Sequence, residues 1–468
     1  MTRGGLTSEE LQNLITISRE EIVKNIHDII SNSIPVWRKN IEGIMVPIPV
    51  DKLEQYLGEN LHEIAFYINK NWKLRVKNNQ PSNQNNKLQI PSIIKQLEQY
   101  GDVAEQAGRF RKMTIVDREE ILDQGLEQLT NIKEHKDKLD LSAIVSMVEI
   151  VAYTFYAHHA NIEDITESPN LRNNIQGVMG KTRWILSILI DLLRMGMFNF
   201  QDFNIIEDIS TQSITFDHII RVLLKFNAFC VFFNYYIDQG LITKNIRAVF
   251  KDKYSLYYKK RLDIDNISIE SVFKDGIRRI DETNELVDYS MGALLFDMGK
   301  LPDLQYHDSV DTNYDEKIVK KHVLNSYNMI MNTNIYPFPV PAMAAFHHEL
   351  YGSKGGYNFT NAIISKLYKI KRDDTKAHYF ITYDEKDFIN GLALAYFPIK
   401  ILEIIDIFDA LKNKKKRPVS ETLMMMKKEF IIKSLKIDPI LFAIYLEFNY
   451  KCGLINAKEF EDIDSIIF

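Results

Sequence analysis

Ionisable side chains recur along the C-terminal half of the chain at spacings that suit one shared site. An Asp-Met-Gly-Lys sequence begins at Asp297, a single histidine follows at His322, and a His-His-Glu sequence begins at His347. Further on, Asp406 and Asp409 lie about one helical turn apart. Imidazoles and carboxylates are ligands of iron, manganese and zinc, and helices can direct them inward from several parts of a chain. The pattern therefore predicts helices arranged around a metal site.

Apolar residues repeat with a period near 3.6, for example at Ile144, Val148 and Phe155, and alternating β-branched residues are scarce. We therefore expect an all-α protein. Capping-box patterns at 7–10 and 18–21 predict that the N-terminal region is helical as well. The 468 residues, of which 46% are hydrophobic, suffice for two domains.

Charge and composition exclude several classes of protein. The formal charge of -5 argues against a partner that is a nucleic-acid polymer, because such binders usually have a strongly basic face. The N-terminus lacks the apolar core of a secretory signal, so we expect a cytoplasmic protein. The apolar run 184–198 is interrupted by Asp191 and Arg194, which predicts a buried helix without membrane insertion. Cys230 and Cys452 indicate a reducing compartment and structural roles.

The order of the ligand motifs resembles that of the HD-GYP family, bacterial metal-dependent phosphodiesterases that hydrolyse cyclic di-GMP. Its members carry His-Asp-x-Gly-Lys, a downstream His, His-His-Glu followed by Asp-Gly-x-Gly-Tyr-Pro, and Asp-x-x-Asp-Ala-Leu. The matching residues are Asp297, Gly299, Lys300, His322, His347, His348, Glu349, Gly356, Tyr357, Asp406, Asp409, Ala410 and Leu411. Three departures affect the site, because Phe296 replaces the first His, Ser353-Lys354 replaces Asp-Gly, and Asn358 replaces the proline.

The segment 215–222 is similar to the first helix of the family, which adds His218 as a metal ligand. The resemblance implies that one ion is held by His218, Asp297 and Asp406. It implies that the other ion is held by the following set: Asp297, His322, His347 and His348. One or two divalent ions, iron or manganese, are thus expected. A third is not, because Ile214 stands where some members have Glu.

The resemblance also implies roles in catalysis and binding. Asp297 can bridge two cations, and Lys300 lies on the same helical face, where it can meet a phosphate oxygen. These two are the expected catalytic residues. Lys300, Gly356 and Tyr357 are expected to bind the cyclic dinucleotide, and the glycine-rich loop to recruit a signalling protein. Asp409 either orients a metal ligand or forms an ordinary salt bridge.

We expect two regions along the chain. Residues 1–200 form a helical region, regulatory in role, with a flexible Asn/Gln-rich loop at 77–89. Residues 201–468 form the HD-GYP-like domain, with an insertion around 245–280 whose basic, Tyr-rich part is expected to be a solvated loop or an extra hairpin.

A histidine pair and a basic run lie outside the ligand motifs, and both favour structural roles. His158 and His159 lack acidic partners at ligand spacing, which favours a capping or surface role over a metal site. The run 412–417 is basic and is expected to be a solvated turn, although screening of phosphates or contact with an acidic partner stays open.

The leading functional prediction is metal-dependent hydrolysis of a cyclic dinucleotide, cyclic di-GMP. The alternative is a catalytically inactive HD-GYP-like signalling protein that binds a nucleotide or a protein partner. Phe296 separates them, because turnover requires both metals whereas binding requires only a shaped, charged pocket. A purely structural helical scaffold would hold no metal. The oligomeric state, a homodimer included, stays open.

Overall fold

The computed structural model divides the chain into two compact units, residues 1–91 and 92–468. The residues that it describes are 14–18, 22, 29, 36–39, 45–49, 52–53, 56–57, 65–69, 102–135, 141–196, 206, 214–262, 268–269, 279–300, 316–337, 339–348, 397–414 and 416–466. Helix dominates these residues, in agreement with the predicted all-α class. The predicted loop at 77–89 lies outside them.

The first unit contains a four-stranded antiparallel sheet with the strand order β1-β4-β2-β3. The strands are β1 (Leu14–Ser18), β2 (Val36–Lys39), β3 (Met45–Ile48) and β4 (Ala65–Asn69). Apolar side chains from the strands and from helical residues form a core of their own: Ile17, Ile22, Ile29, Val36, Ile48, Leu53, Leu57, Phe66 and Ile68.

The sheet corrects the prediction that the N-terminal region is wholly helical. The capping box at 7–10 predicts a helix where β1 lies. Ile15, Thr16 and Ile17 are successive β-branched residues, which favour a strand, and this outweighs the capping signal. The capping box at 18–21 also predicts a helix, and here Ile22 and Ile29 are helical and fully buried.

Helices are the only regular secondary structure among the described residues of the second unit. Its helices before residue 300 are α1 (Val103–Lys112), α2 (Ile115–His135), α3 (Leu141–Glu167), α4 (Gln176–Gly196), α5 (Ile214–Asp238), α6 (Phe250–Lys253), α7 (Ser255–Leu262) and α8 (Glu285–Leu295). Those after it are α9 (Glu316–Thr333), α10 (Pro339–Phe346), α11 (Phe397–Lys414), α12 (Val419–Met425), α13 (Pro439–Lys451) and α14 (Ala457–Asp464). Short 3₁₀ segments at Pro169–Ile175 and Met298–Lys300 and π segments at Ile242–Arg247 and Met426–Lys433 connect them.

One hydrophobic core spans the second unit and includes residues on both sides of the predicted domain boundary near 200. Phe155 and Tyr156 of α3 contact Phe216 of α5, with ring centroids 5.9 and 5.3 Å apart. The buried free thiols of Cys230 and Cys452 lie in the same core. The boundary therefore differs from the prediction, because the apolar faces of α1 to α4 are buried against the helices that follow.

The basic, Tyr-rich part of the predicted insertion is helical, and the prediction of a solvated loop or hairpin there is wrong. Tyr254, Tyr257 and Tyr258 are almost fully buried. The Tyr257 hydroxyl donates to the Ile437 carbonyl at 2.8 Å, and the Tyr258 hydroxyl donates to Asp438 Oδ2 at 3.0 Å. Tyrosines at i, i+3 and i+4 share one face of a helix. The flanking Lys251, Lys259 and Lys260 are exposed.

The apolar run 184–198 falls largely in α4, which buries Leu186, Leu189 and Leu193. Trp184 departs from the prediction of a buried segment, because its side chain is 67% exposed. Among the described helices, none combines the length and the apolar character that crossing a bilayer requires.

His158 and His159 lie within α3 and are buried, so the predicted surface or capping role is wrong. The two ring nitrogens of His158 bond the Tyr336 hydroxyl at 2.8 Å and the Thr182 hydroxyl at 2.9 Å. Hydroxyl partners, which sequence spacing cannot reveal, satisfy the imidazole in the core. The Tyr336 bond ties α3 to the connection between α9 and α10.

Acidification should destabilise the fold through these buried imidazoles. Burial lowers the pKa of His158 to about 4, whereas an unfolded histidine titrates near 6.5. The unfolded chain therefore binds more protons, and stability falls from pH 6.5 towards pH 4, by at most about 3 kcal/mol for this group. Urea unfolding of wild type and His158→Gln across this range should give a shallower pH dependence for the variant. His135→Gln, at an exposed histidine, is the control. The prediction is contradicted if the free energy of unfolding depends equally on pH in wild type, His158→Gln and His135→Gln.

Candidate metal centre

Five parts of the second unit bring ionisable side chains to one place. The contributions are His218 from α5, Asp297 and Lys300 from the end of α8 and the following 3₁₀ segment, His322 from α9, His347 and His348 directly after α10, and Asp406 and Asp409 from α11. All six predicted metal ligands therefore lie in one cluster. Glu349, Gly356 and Tyr357 lie outside the described residues.

A close backbone approach places Asp297 beside α9. The Gly299 amide donates to Ser326 Oγ at 2.8 Å, and a Cβ at Gly299 would collide with the backbone of His322 and Ser326. The glycine is required for this packing. It allows the segment after α8 to touch α9 at the turn that carries His322.

Three histidines and one carboxylate oxygen form the first half of the site. The ligand nitrogens of His322, His347 and His348 all lie within 4.8 Å of one another. Asp297 Oδ1 is 3.2 Å from His322 Nε2 and 3.7 Å from His347 Nε2. His347 Nδ1 donates to the Ala344 carbonyl at 2.9 Å, which leaves the Nε2 lone pair directed at this group.

The second half of the site is formed by His218 and the other oxygens of the two aspartates. His218 Nε2 is 2.9 Å from Asp406 Oδ1 and 3.7 Å from Asp297 Oδ2. Asp406 Oδ2 is 3.7 Å from His348 Nδ1. Each aspartate thus faces both halves, with one oxygen toward each.

Asp297 carries the clearest sign that the site is built for a cation. Its side chain is fully buried, and its Oδ1 atom lies 3.2 Å from His322 Nε2 without the geometry of a hydrogen bond. Burial would raise the pKa of this carboxyl, but Lys300 and His322 outweigh burial and keep the pKa well below its ordinary value. A buried, ionised carboxylate with an unsatisfied oxygen costs free energy, and a metal ion would remove that cost.

Two of the neighbouring imidazoles, those of His347 and His348, are in the protonation state that metal binding needs. Burial lowers the pKa of His347 to about 4 and lowers that of His348 well below the ordinary value. Both are therefore neutral near pH 7 and keep a nitrogen lone pair. These residues fit a divalent transition metal.

Phe296 occupies the space between the two halves. It is fully buried, with its ring centroid 4.9 Å from that of His347 in an edge-to-face contact and 5.9 Å from that of His218. An imidazole at this position would lie among the ligands, whereas a phenyl ring provides no lone pair.

Asp409 orients a ligand and is also paired with cations, so both of its predicted roles are combined. His218 Nδ1 donates to Asp409 Oδ2 at 2.9 Å, which directs His218 Nε2 toward Asp297 and Asp406. Arg221 Nε and Lys225 Nζ each donate to Asp409 Oδ1 at 3.0 Å. Burial would lower the pKa of His218, but the bonds to Asp406 and Asp409 raise it to about 9.

Arg221 and Lys225 are the residues that sequence reasoning missed. Their signal was present, because positions three and seven after His218 lie on the same face of a helix. Two buried cations on this face imply a buried carboxylate opposite them.

Asp409→Ala should destabilise the protein by about 3–5 kcal/mol, because it removes the carboxylate that Arg221 and Lys225 contact in the core. Asp191→Ala is the matched control, since Asp191 pairs with Lys133 near the surface and should cost less than about 1 kcal/mol. Urea unfolding of both variants measures the difference. Similar costs would show that the Asp409 network does not stabilise the core.

Comparisons with known proteins give limited information. No family model matches the chain, and no curated protein matches it. A search of solved structures finds Bd1817, a HDG"Y"P protein from Bdellovibrio bacteriovorus. That similarity covers 94% of this chain and 99% of that chain, with 10% sequence identity and a TM-score of 0.34. The interpretation of the site therefore depends on the motifs and the geometry of this chain.

Proposed function

We propose that this chain is an HD-GYP-like metal-dependent phosphodiesterase that hydrolyses a cyclic dinucleotide, with cyclic di-GMP as the expected substrate. The observation that supports this most is the placement of Asp297, whose Oδ1 faces His322 and His347 and whose Oδ2 faces His218. Bridging carboxylates of this kind are typical of two-metal sites for phosphoryl chemistry.

The two halves of the site would hold iron or manganese with different strength. One ion would bind Asp297 Oδ1 and the three histidines of the first half. The other would bind His218, Asp297 Oδ2 and Asp406 alone, because Phe296 contributes no ligand. Bound metal would neutralise the charge on a phosphate and activate a water molecule as the nucleophile.

The side chains of the site also define where a substrate can approach. The side chains of Asp297, His322 and His347 are at most 1% exposed, whereas those of Lys300 and His348 are 23% and 22% exposed. A phosphate would therefore enter from the side of Lys300 and His348. Lys300 would bind a phosphate oxygen while its pairing with Asp297 holds the ammonium group at the entrance.

Phe296 supports a second candidate function, an inactive HD-GYP-like protein that binds the nucleotide or a protein partner. Because Phe296 contributes no ligand, only the first half of the site, with its three histidines, has a full set of ligands. One bound ion and Lys300 would suffice to bind a phosphate, whereas hydrolysis requires the second ion.

The two candidates differ in turnover. Protein loaded anaerobically with iron or manganese should convert cyclic di-GMP to the linear dinucleotide, slowly because of Phe296. Binding without a linear product would favour the inactive binder. Neither binding nor product would contradict both proposals.

Lys300→Met tests the role of the lysine separately from the metal. We expect this change to reduce turnover by about a hundredfold, because the ammonium group that meets the phosphate is lost. Metal content should be retained, since Lys300 is not a ligand. Lys321→Met, an exposed lysine on α9 next to His322, is the matched control. Unchanged turnover in Lys300→Met would exclude the proposed contact.

A further inference from the structure

Trp184 presents its indole to solvent on a helix that is otherwise well packed. The side chain is 67% exposed, although tryptophan is on average one of the more buried residues. It lies at the edge of a groove of about 600 Å³ between α2 and α4. We call this the acidic groove, lined by Asp123, Leu126, Glu127, Thr130, Asn131, Glu134 and Trp184.

Two carboxylates of the acidic groove are available for an external partner. Asp123 is paired with Lys181. Glu127 and Glu134, in contrast, form no ion pair with any residue that the structure describes. They lie seven positions apart on α2, which places them on one face at a separation of about 10 Å.

A second groove has the opposite charge. It is the basic groove, about 710 Å³, lined by Arg417, Glu421, Met424, Met425, Lys428, Glu429, Phe430, Lys433, Ser434 and Lys436. The sequence 412–436 that contains it has nine lysines and arginines and only two glutamates, in a chain with a formal charge of -5. Positive charge is thus concentrated on this segment.

The cations of the basic groove differ in how they are paired. Arg417 and Lys433 face Glu421 and Glu429, at 3.8 and 2.8 Å. Within the described part of the chain, Lys428 has no carboxylate partner. Lys436 lies over the ring of Phe430, 5.8 Å from its centroid.

The backbone of the basic groove is unusual. Its floor is the π-helical segment Met426–Lys433, and two non-glycine residues with positive φ bracket the groove, Lys416 at 47° and Leu435 at 54°. π-Helical turns and left-handed non-glycine residues are energetically costly and are frequent at binding sites. This shape presents Lys428 and Lys433 outward, since both are exposed.

We propose that the acidic groove of one copy of this protein binds the basic groove of a second copy. Glu127 and Glu134 would pair with Lys428 and Lys436, and the indole of Trp184 would contact a lysine or arginine of the basic groove. The two grooves share no residue, so the contact is head to tail and produces a closed ring or an open filament. The proposal involves no residue of the metal centre and does not depend on the proposed function.

Sedimentation velocity of the full chain over a range of concentrations, at low and high salt, tests the contact. Wild type should associate at low salt and dissociate as salt screens the charges. Glu127→Lys with Glu134→Lys makes both grooves basic, and Lys428→Glu with Lys436→Glu makes both acidic. Each double variant alone should be monomeric, whereas an equimolar mixture should associate. Trp184→Ala should weaken association about tenfold or more.

Lys244→Glu with Lys251→Glu is the control, because it changes the net charge by the same amount as Lys428→Glu with Lys436→Glu, at exposed sites outside both grooves. It should associate as wild type does. The proposal is overturned if wild type stays monomeric at every concentration and salt. It is equally overturned if the double variants associate alone, or if their mixture does not associate.

Discussion

Phe296→His should raise the metal content of the protein towards two ions and increase its hydrolysis of cyclic di-GMP. Phe296 is buried between His218 and His347, where an imidazole would reach the weaker half of the site. In wild type that half has only His218, Asp297 and Asp406, and it should lose its ion readily. An added neutral imidazole would supply the missing ligand.

Phe296→Leu is the matched control, because leucine also lacks a lone pair and should leave the metal content unchanged. Metal content and linear-dinucleotide formation should be measured together for all three proteins under the same anaerobic conditions. His307, outside the described residues, is an alternative source of the missing ligand. If it fills that role, Phe296→His will be neutral or harmful. Two ions and vigorous turnover in wild type would rule out a degenerate site.

Combined replacement of His347 and His348 by alanine should empty the site. Their nitrogens and that of His322 form the compact half, and no other described imidazole lies in that cluster to replace them. Loss of two of the four ligands should reduce bound metal from about one equivalent to background. His135→Ala is the control, since that histidine is exposed and distant in sequence from the site. Retention of metal in the double variant would place the ion elsewhere.

The ligand set was accessible from the sequence because each motif is local. Asp406 and Asp409 keep their spacing wherever their helix lies, and His347 and His348 are adjacent in the chain. The partners across the site were not accessible from spacing alone, since His218 and Asp406 are 188 positions apart and yet bond at 2.9 Å. In the sequence, only the resemblance to a known family indicates that these motifs share one site.

The failed predictions share a physical cause, which is that local signals were outweighed by tertiary packing. The tyrosines of the predicted insertion suggested a loop because lysines surround them, but their helical spacing buries them. His158 lacked acidic neighbours, and it proved to be satisfied by hydroxyls from α4 and from the connection after α9. In the N-terminal region, the capping box at 7–10 predicted a helix where the structure has strand β1. In each case the deciding partner is distant in sequence.

Elemental analysis of wild-type protein, expressed anaerobically with iron and purified without chelator, tests the central claim most directly. The imidazoles of His322, His347 and His348 beside the unsatisfied oxygen of Asp297 should retain about one equivalent of iron or manganese. Less than about a tenth of an equivalent would contradict the claim, because an intact set of four ligands should hold one cation.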